Sequence, residues 1–172
     1  MSSPSFDIAV IGLGYVGLPL SLQFAASGCR VLGLDIDLAK VEAIACSRSY
    51  IHHIEPAAIA AEVAADRLSA STDFARVAEA DAVVICVPTP LSKNREPDIS
   101  YILKTAAAIA PHLLPGVLVV LESTTYPGTT DEDLRAALEA GSGMTAGRDF
   151  HLAFSPERED PGNPASQVAK IP

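Results

Sequence analysis

The sequence predicts an α/β fold, a doubly wound and mainly parallel sheet with helices on both faces, and three observations predict it. Short apolar runs alternate with helix-length amphipathic patterns along the chain. Hydrophobic residues make up 49% of the sequence, but aromatics only 5% and tryptophan none. The core must therefore be built from Ala, Val, Ile and Leu, the residues of strands buried on both faces. Gly, Pro, Asp and Ser punctuate the joints between these runs, so the connections are short. At 172 residues the chain has the length of one ordinary domain with a full core, and the domain is expected to run over the whole chain, 1–172, with a polar tail from Pro161.

The first strand spans Phe6 to Ile11, a helix runs from Tyr15 to about Ser27, and a second strand covers Arg30 to Leu34, which together form one βαβ unit. A helical segment from Asp37 to Ala45 leads to a polar loop through His52 and His53. Pro56 opens the next helix, where its missing N–H costs nothing, and a short strand follows at Leu68 to Ala70. Asp81 to Val87 is the next strand, stopped by Pro88. After a charged loop from Lys93 to Pro97, Asp98 or Ser100 caps a helix that runs to Ala110. Pro115-Gly116 turns the chain into the strand Val117 to Leu121. Thr129 and Thr130, followed by Asp131, Glu132 and Asp133, make a helix start favoured by the helix dipole. That helix is expected to end at Ala140, with a glycine-rich loop from Gly141 to Gly147 and a last strand from His151 to Phe154. The total is about six parallel strands with right-handed crossovers and no internal repeat.

The formal net charge of −9 and the scattered basic residues argue against nucleic-acid or anionic-membrane binding. No apolar stretch is long enough to span a bilayer, and Met1 to Ser5 lacks the basic and apolar regions of a secretory signal, so a cytoplasmic protein is expected. The three cysteines, Cys29, Cys46 and Cys86, show no CxxC or Cys/His spacing and read as reduced, mostly buried, structural thiols. His52 and His53 lack metal-ligand spacing, and no metal site is expected.

Gly12-Leu13-Gly14-Tyr15-Val16-Gly17 lies between the first strand and the first helix, the context that gives a glycine fingerprint its meaning. The first glycine makes the tight turn, the second lets the backbone approach a pyrophosphate, and the third lets the helix pack closely on the strand. The fold is thus of Rossmann type and the expected cofactor is a dinucleotide. Asp35 ends the second strand about 20 residues beyond the glycines, where its carboxylate can accept the adenine ribose hydroxyls. A carboxylate there repels a 2′-phosphate, and no arginine follows it, so NAD is favoured over NADP. Asp35 is also a candidate helix N-cap.

Three segments follow later strands on the rim where open α/β sheets place their ligands: Cys86 to Pro90, Glu122 to Gly128, and Ser155 to Asn163. All are rich in ordinary turn residues, but their joint placement points to a site. Pro88, Thr89, Ser123 and Thr124 are candidates for the nicotinamide end of the cofactor or a reacting water, and Glu157 is a carboxylate able to act as base. From the residues alone the reading stops at a hydride-transfer enzyme or a dinucleotide-sensing domain.

At Gly-Leu-Gly-Tyr-Val-Gly-Leu-Pro-Leu (12–20), Val87-Pro88-Thr89-Pro90, the Glu122 to Gly128 segment and Ser155-Pro156-Glu157, the chain resembles the NAD-binding domain of the UDP-glucose/GDP-mannose dehydrogenase family. The resemblance implies oxidation of the C6 hydroxyl of a UDP-sugar to a carboxylate with two NAD, through an aldehyde and a cysteine-bound thioester. By the same resemblance Thr124 helps hold the reacting water, Glu157 assists thioester hydrolysis, and Ser123 and Thr89 touch the cofactor. Pro161 stands where some members carry a second glutamate. The nucleophilic cysteine, with a lysine and an asparagine, is expected in a central helix and UDP-sugar-binding domain outside the sequence, so the chain reads as a piece of a longer protein, inactive alone and homo-oligomeric at full length. The run 155–163 is most similar to the branch acting on UDP-N-acetylglucosamine. A β-hydroxyacid dehydrogenase shares the glycine turn, but Ser155-Pro156-Glu157 and Ser123 to Gly128 argue against it. A stand-alone NAD-responsive module stays open, to be separated by gene length.

Overall fold

The computed structural model describes residues 5–91 and 97–156. Six strands, β1 (Phe6–Ile11), β2 (Val31–Leu34), β3 (Leu68–Ser71), β4 (Ala80–Ile85), β5 (Leu118–Leu121) and β6 (His151–Phe154), form one sheet in the order β3-β2-β1-β4-β5-β6. Every pairing is parallel, with Val10 opposite both Gly33 on β2 and Val84 on β4. The chain runs outward from β1 in one direction, returns, and runs outward in the other. Right-handed crossovers then place the two sets of helices on opposite faces.

The helices α1 (Gly17–Ala26), α2 (Leu38–Ala45) and α3 (Pro56–Ala64) pack together with Val10, Leu18, Val31, Ile44 and Ile59 as one core. The helices α4 (Ser100–Ile109) and α5 (Arg135–Ser142) close the other core over Ile11, Leu32, Leu34, Val83, Ile85, Val119 and Leu121. Alternate residues of the central strands therefore feed two different cores. This explains why β1 and β2 read as continuous apolar runs and not as alternating ones.

Several elements differ from the sequence expectation. β4 stops at Ile85, two residues early, because the Val87 carbonyl accepts the Ser123 hydroxyl at 2.6 Å and Pro88 has no N–H to pair. α1 starts at Gly17, since Gly12 to Val16 form the turn that precedes it. A 3₁₀ segment, Phe74–Glu79, joins β3 to β4. The segment Thr129–Leu134 is a π-helical turn, and α5 continues from it through Gly141, packed on Ala110, until Gly143 at φ 72° ends it. The glycine-rich loop therefore begins two residues later than expected. None of the three cysteines is in a disulfide, but they are less buried than expected: Cys46 is exposed, because it caps the end of α2 at the surface, and Cys29 and Cys86 are half-buried. No helix among the described residues is long and apolar enough to cross a membrane, and no cluster of metal-ligating side chains occurs among them.

Candidate functional site

The strand order reverses between β1 and β4, and a cleft of about 840 Å³ opens there at the carboxyl ends of the strands. Its floor is the glycine turn. Gly12 adopts φ +93°, and a Cβ on it would lie 2.7 Å from the Cys86 carbonyl oxygen. A Cβ on Gly17 would collide with the Gly12 carbonyl oxygen, whereas one on Gly14 would meet nothing and project into open space. The first and third glycines are thus demanded by close packing inside the protein. The second leaves a bare stretch of backbone facing the cleft.

Val16 occupies the N-cap position of α1 without a side-chain cap. The Leu18 N–H is taken by the Gly14 carbonyl, the Leu20 N–H by the Val16 carbonyl, and Pro19 has none, so the N–H groups left for an anion are those of the turn up to Gly17. Gly12, Gly14, Tyr15 and Val16 line the cleft, and Gly17 is buried beneath them. Tyr15 is 60% exposed, with its ring 6.5 Å from that of His53.

Asp35 lies at the far end, only 5% exposed, and holds three hydrogen bonds from the protein. Its Oδ2 accepts the Leu13 N–H at 2.7 Å and the Lys40 ammonium at 3.0 Å, and its Oδ1 accepts the Asp37 N–H at 2.9 Å. The carboxylate still lines the cleft, and Oδ1, with the Asp37 N–H alone, keeps accepting capacity. The N-cap of α2 is Asp37, whose side chain accepts the Ala39 N–H; Asp35 supports the turn that precedes it and is not the cap.

At the other end, two hydroxyls cross-link the loops after β4 and β5. Thr89 donates to the Thr124 carbonyl at 2.7 Å, and Ser123 donates to the Val87 carbonyl. Their protons are therefore spent inside the protein, and both oxygens keep only accepting capacity for a ligand. Pro88 and the exposed Thr124 line the cleft beside them, as does Glu122, whose Oε2 sits 3.8 Å from the Cys86 thiol. Ser155 extends the β6 ladder through its N–H to the Leu121 carbonyl, but it is not among the lining residues. Glu157 lies outside the described residues.

Sequence reasoning missed several lining residues. Lys40 stands one turn into α2, and Ile36 is 83% exposed just past Asp35. Tyr101, Lys104, Thr105 and Ala108 form one wall, with the Lys104 ammonium 5.9 Å from the Tyr101 ring centre. Their i, i+3, i+4, i+7 spacing on α4 was a readable signal for a single helix face. Tyr50, outside the cleft, donates its hydroxyl to the Leu13 carbonyl at 2.7 Å. The residues present fit a dinucleotide: a bare backbone turn at an uncapped helix start for the pyrophosphate, a carboxylate at one end and a polar loop pair at the other.

Among known proteins, the chain is 33% identical over 164 residues to a UDP-N-acetyl-D-glucosamine 6-dehydrogenase of Pseudomonas aeruginosa, an alignment covering 95% of this chain and 38% of that protein. It is 38% identical over 172 residues to a UDP-N-acetyl-D-mannosamine dehydrogenase of Escherichia coli K12, covering 95% and 40%. The crystal structure of a ternary complex of GDP-mannose dehydrogenase from Pseudomonas aeruginosa superposes with a TM-score of 0.84 at 32% identity, over 90% of this chain and 37% of that one. The chain thus spans well under half the length of these relatives. Residues 6–172 match the model of the NAD binding domain of the UDP-glucose/GDP-mannose dehydrogenase family, and the chain belongs to that family as its NAD-binding part.

Proposed function

We propose that this chain is the cofactor-binding part of a nucleotide-sugar 6-dehydrogenase that oxidises the C6 hydroxyl of a UDP-sugar to the carboxylate, with UDP-N-acetylglucosamine as the favoured substrate. The observation that carries the reading is the single cleft that runs from Asp35, past the glycine turn, to the cross-linked loops at Thr89 and Thr124. NAD held in this cleft would supply the hydride acceptor for that oxidation. Backbone N–H groups of the turn up to Gly17 would hold its pyrophosphate at the N-terminal end of α1, and Asp35 would take a ribose hydroxyl. Pro88, Thr89 and Ser123 flank the nicotinamide end, with Thr124 and its exposed hydroxyl positioned for a reacting water. Glu157 supplies the base for hydrolysis by its place in the family motif. The sugar is held mainly by a part of the protein beyond this chain, and the full-length form is a homo-oligomer.

The experiment is steady-state and single-turnover assay of the full-length protein with Glu157→Gln beside the wild type. The wild type should yield two NADH per UDP-N-acetylglucosamine consumed. The variant should bind NAD⁺ normally and turn over about 10²- to 10⁴-fold more slowly, with substrate trapped on the protein. Unchanged turnover would reduce Glu157 to a turn residue. Failure with every UDP-sugar would reject the dehydrogenase reading while leaving cofactor binding in place.

A further inference from the structure

Leu13 is the residue between the first two glycines, and both of its backbone polar groups are held by side chains from far along the chain. Asp35 takes its N–H, and Tyr50 donates to its carbonyl. The two partners lie 22 and 37 positions downstream, so neither bond arises from local turn geometry.

The carbonyl of Leu13 and the N–H of Gly14 belong to one peptide unit. All described peptide bonds are trans, and a planar trans unit points its C=O and N–H in opposite directions. A hydroxyl that draws the carbonyl toward the α2–α3 side therefore turns the Gly14 N–H outward, into the cleft that Gly14 lines. Nothing else among the described hydrogen bonds holds this carbonyl.

The loop that carries Tyr50 is built to stay in place. Ile51 and Ile54 are buried, 3% and 8% exposed, and the Tyr50 ring packs against the same core as Leu13, Leu18 and Ile44. Ser49 braces the loop by donating its hydroxyl to the Ile51 carbonyl and accepting the Ile51 N–H. The negative charges of Asp35 and Asp37 add to burial in keeping the phenol protonated, so it is a donor throughout the physiological range.

We propose that Tyr50 is a positioning residue of the cofactor site, which by gripping the Leu13 carbonyl aims the Gly14 N–H at the dinucleotide pyrophosphate. Tyr50 never touches the cofactor and does not line the cleft. Its contribution is selective, felt by a ligand with a pyrophosphate and not by one without.

The inference rests on NAD binding in this cleft, and the test separates the two. The ¹⁵N-labelled chain and its Tyr50→Phe variant are titrated with NAD⁺ and with adenosine, followed by amide shifts. In the wild type NAD⁺ should move the Gly14 amide strongly and adenosine should leave it in place. The variant should bind NAD⁺ about three- to tenfold more weakly, the range of one hydrogen bond, with adenosine affinity unchanged. Equal losses for both ligands, or no loss for NAD⁺, would overturn the proposal. A variant that does not fold leaves the wild-type reading decisive, because a Gly14 amide unmoved while residues near Asp35 shift would refute it. A wild-type chain with no NAD⁺-induced shift anywhere would remove the cofactor reading, and the inference with it.

Discussion

At the scale of single residues, Asp35 carries more than its place at the end of β2 implies. Its carboxylate ties the glycine turn to the start of α2 and neutralises Lys40, while still lining the cleft. Such charge-assisted bonds contribute about 1.5–3 kcal/mol each. Asp35→Asn keeps the shape and removes the charge, which frees the Lys40 ammonium at the ribose. NAD⁺ affinity should therefore fall about tenfold or more, and the preference over NADP⁺ should shrink, since the released cation now favours a 2′-phosphate. Calorimetric titration with both nucleotides checks this, and an unchanged NAD⁺ to NADP⁺ ratio would show that Asp35 does not face the ribose. The glycines and Asp35 were legible in the sequence because their spacing is itself the mechanism. Lys40 and Tyr50 were not, because their partners are fixed by how α2 and its following loop fold back over the turn.

At the scale of elements, the pattern of apolar residues located all six strands, and the ends were set by contacts the pattern does not contain. β4 ends just before the Val87 carbonyl, which a hydroxyl from the neighbouring loop takes, and α5 outlasts its expected end because Gly141 packs on Ala110. The loop from α5 to β6 is shaped by two carboxylates. Glu139 accepts the Ala146 N–H and the Arg135 guanidinium. Asp149 accepts the Arg148 guanidinium and the Thr145 N–H, contacts that lower its pKa to about 2. A carboxyl with a depressed native pKa stabilises the fold above its unfolded pKa of about 3.9, and that stability is lost as pH falls through about 2. Thermal melts at pH 5, 3 and 2 should show the wild type losing stability more steeply than Asp149→Asn. Parallel curves would mean that the native loop does not need the charge.

At the scale of the whole molecule, the alternation of strand and helix gave the doubly wound sheet and hence the position of the cleft, because the switch point follows from the order of connections. The extent of the site was less visible: the α4 wall of Tyr101, Lys104, Thr105 and Ala108 comes from a helix whose role in the sequence looked purely structural. A ligand bound across both halves of the sheet must stabilise the whole domain. NAD⁺ at about one hundred times its Kd adds about 2.7 kcal/mol, which for a chain of this size raises the Tm by about 5–10 °C. Scanning calorimetry should find that rise with NAD⁺ and a smaller one with NADP⁺ at equal concentration. No rise would indicate a site that needs the rest of the protein to close. The two distant grips on Leu13 also bear on protein engineering. Six residues copied from 12–17 into a foreign scaffold would arrive without the carboxylate and the phenol that shape them. A transplant that kept both grips would have to extend at least from β1 through the loop at Tyr50, so the shape of this turn is inherited with a folded unit and not as a motif.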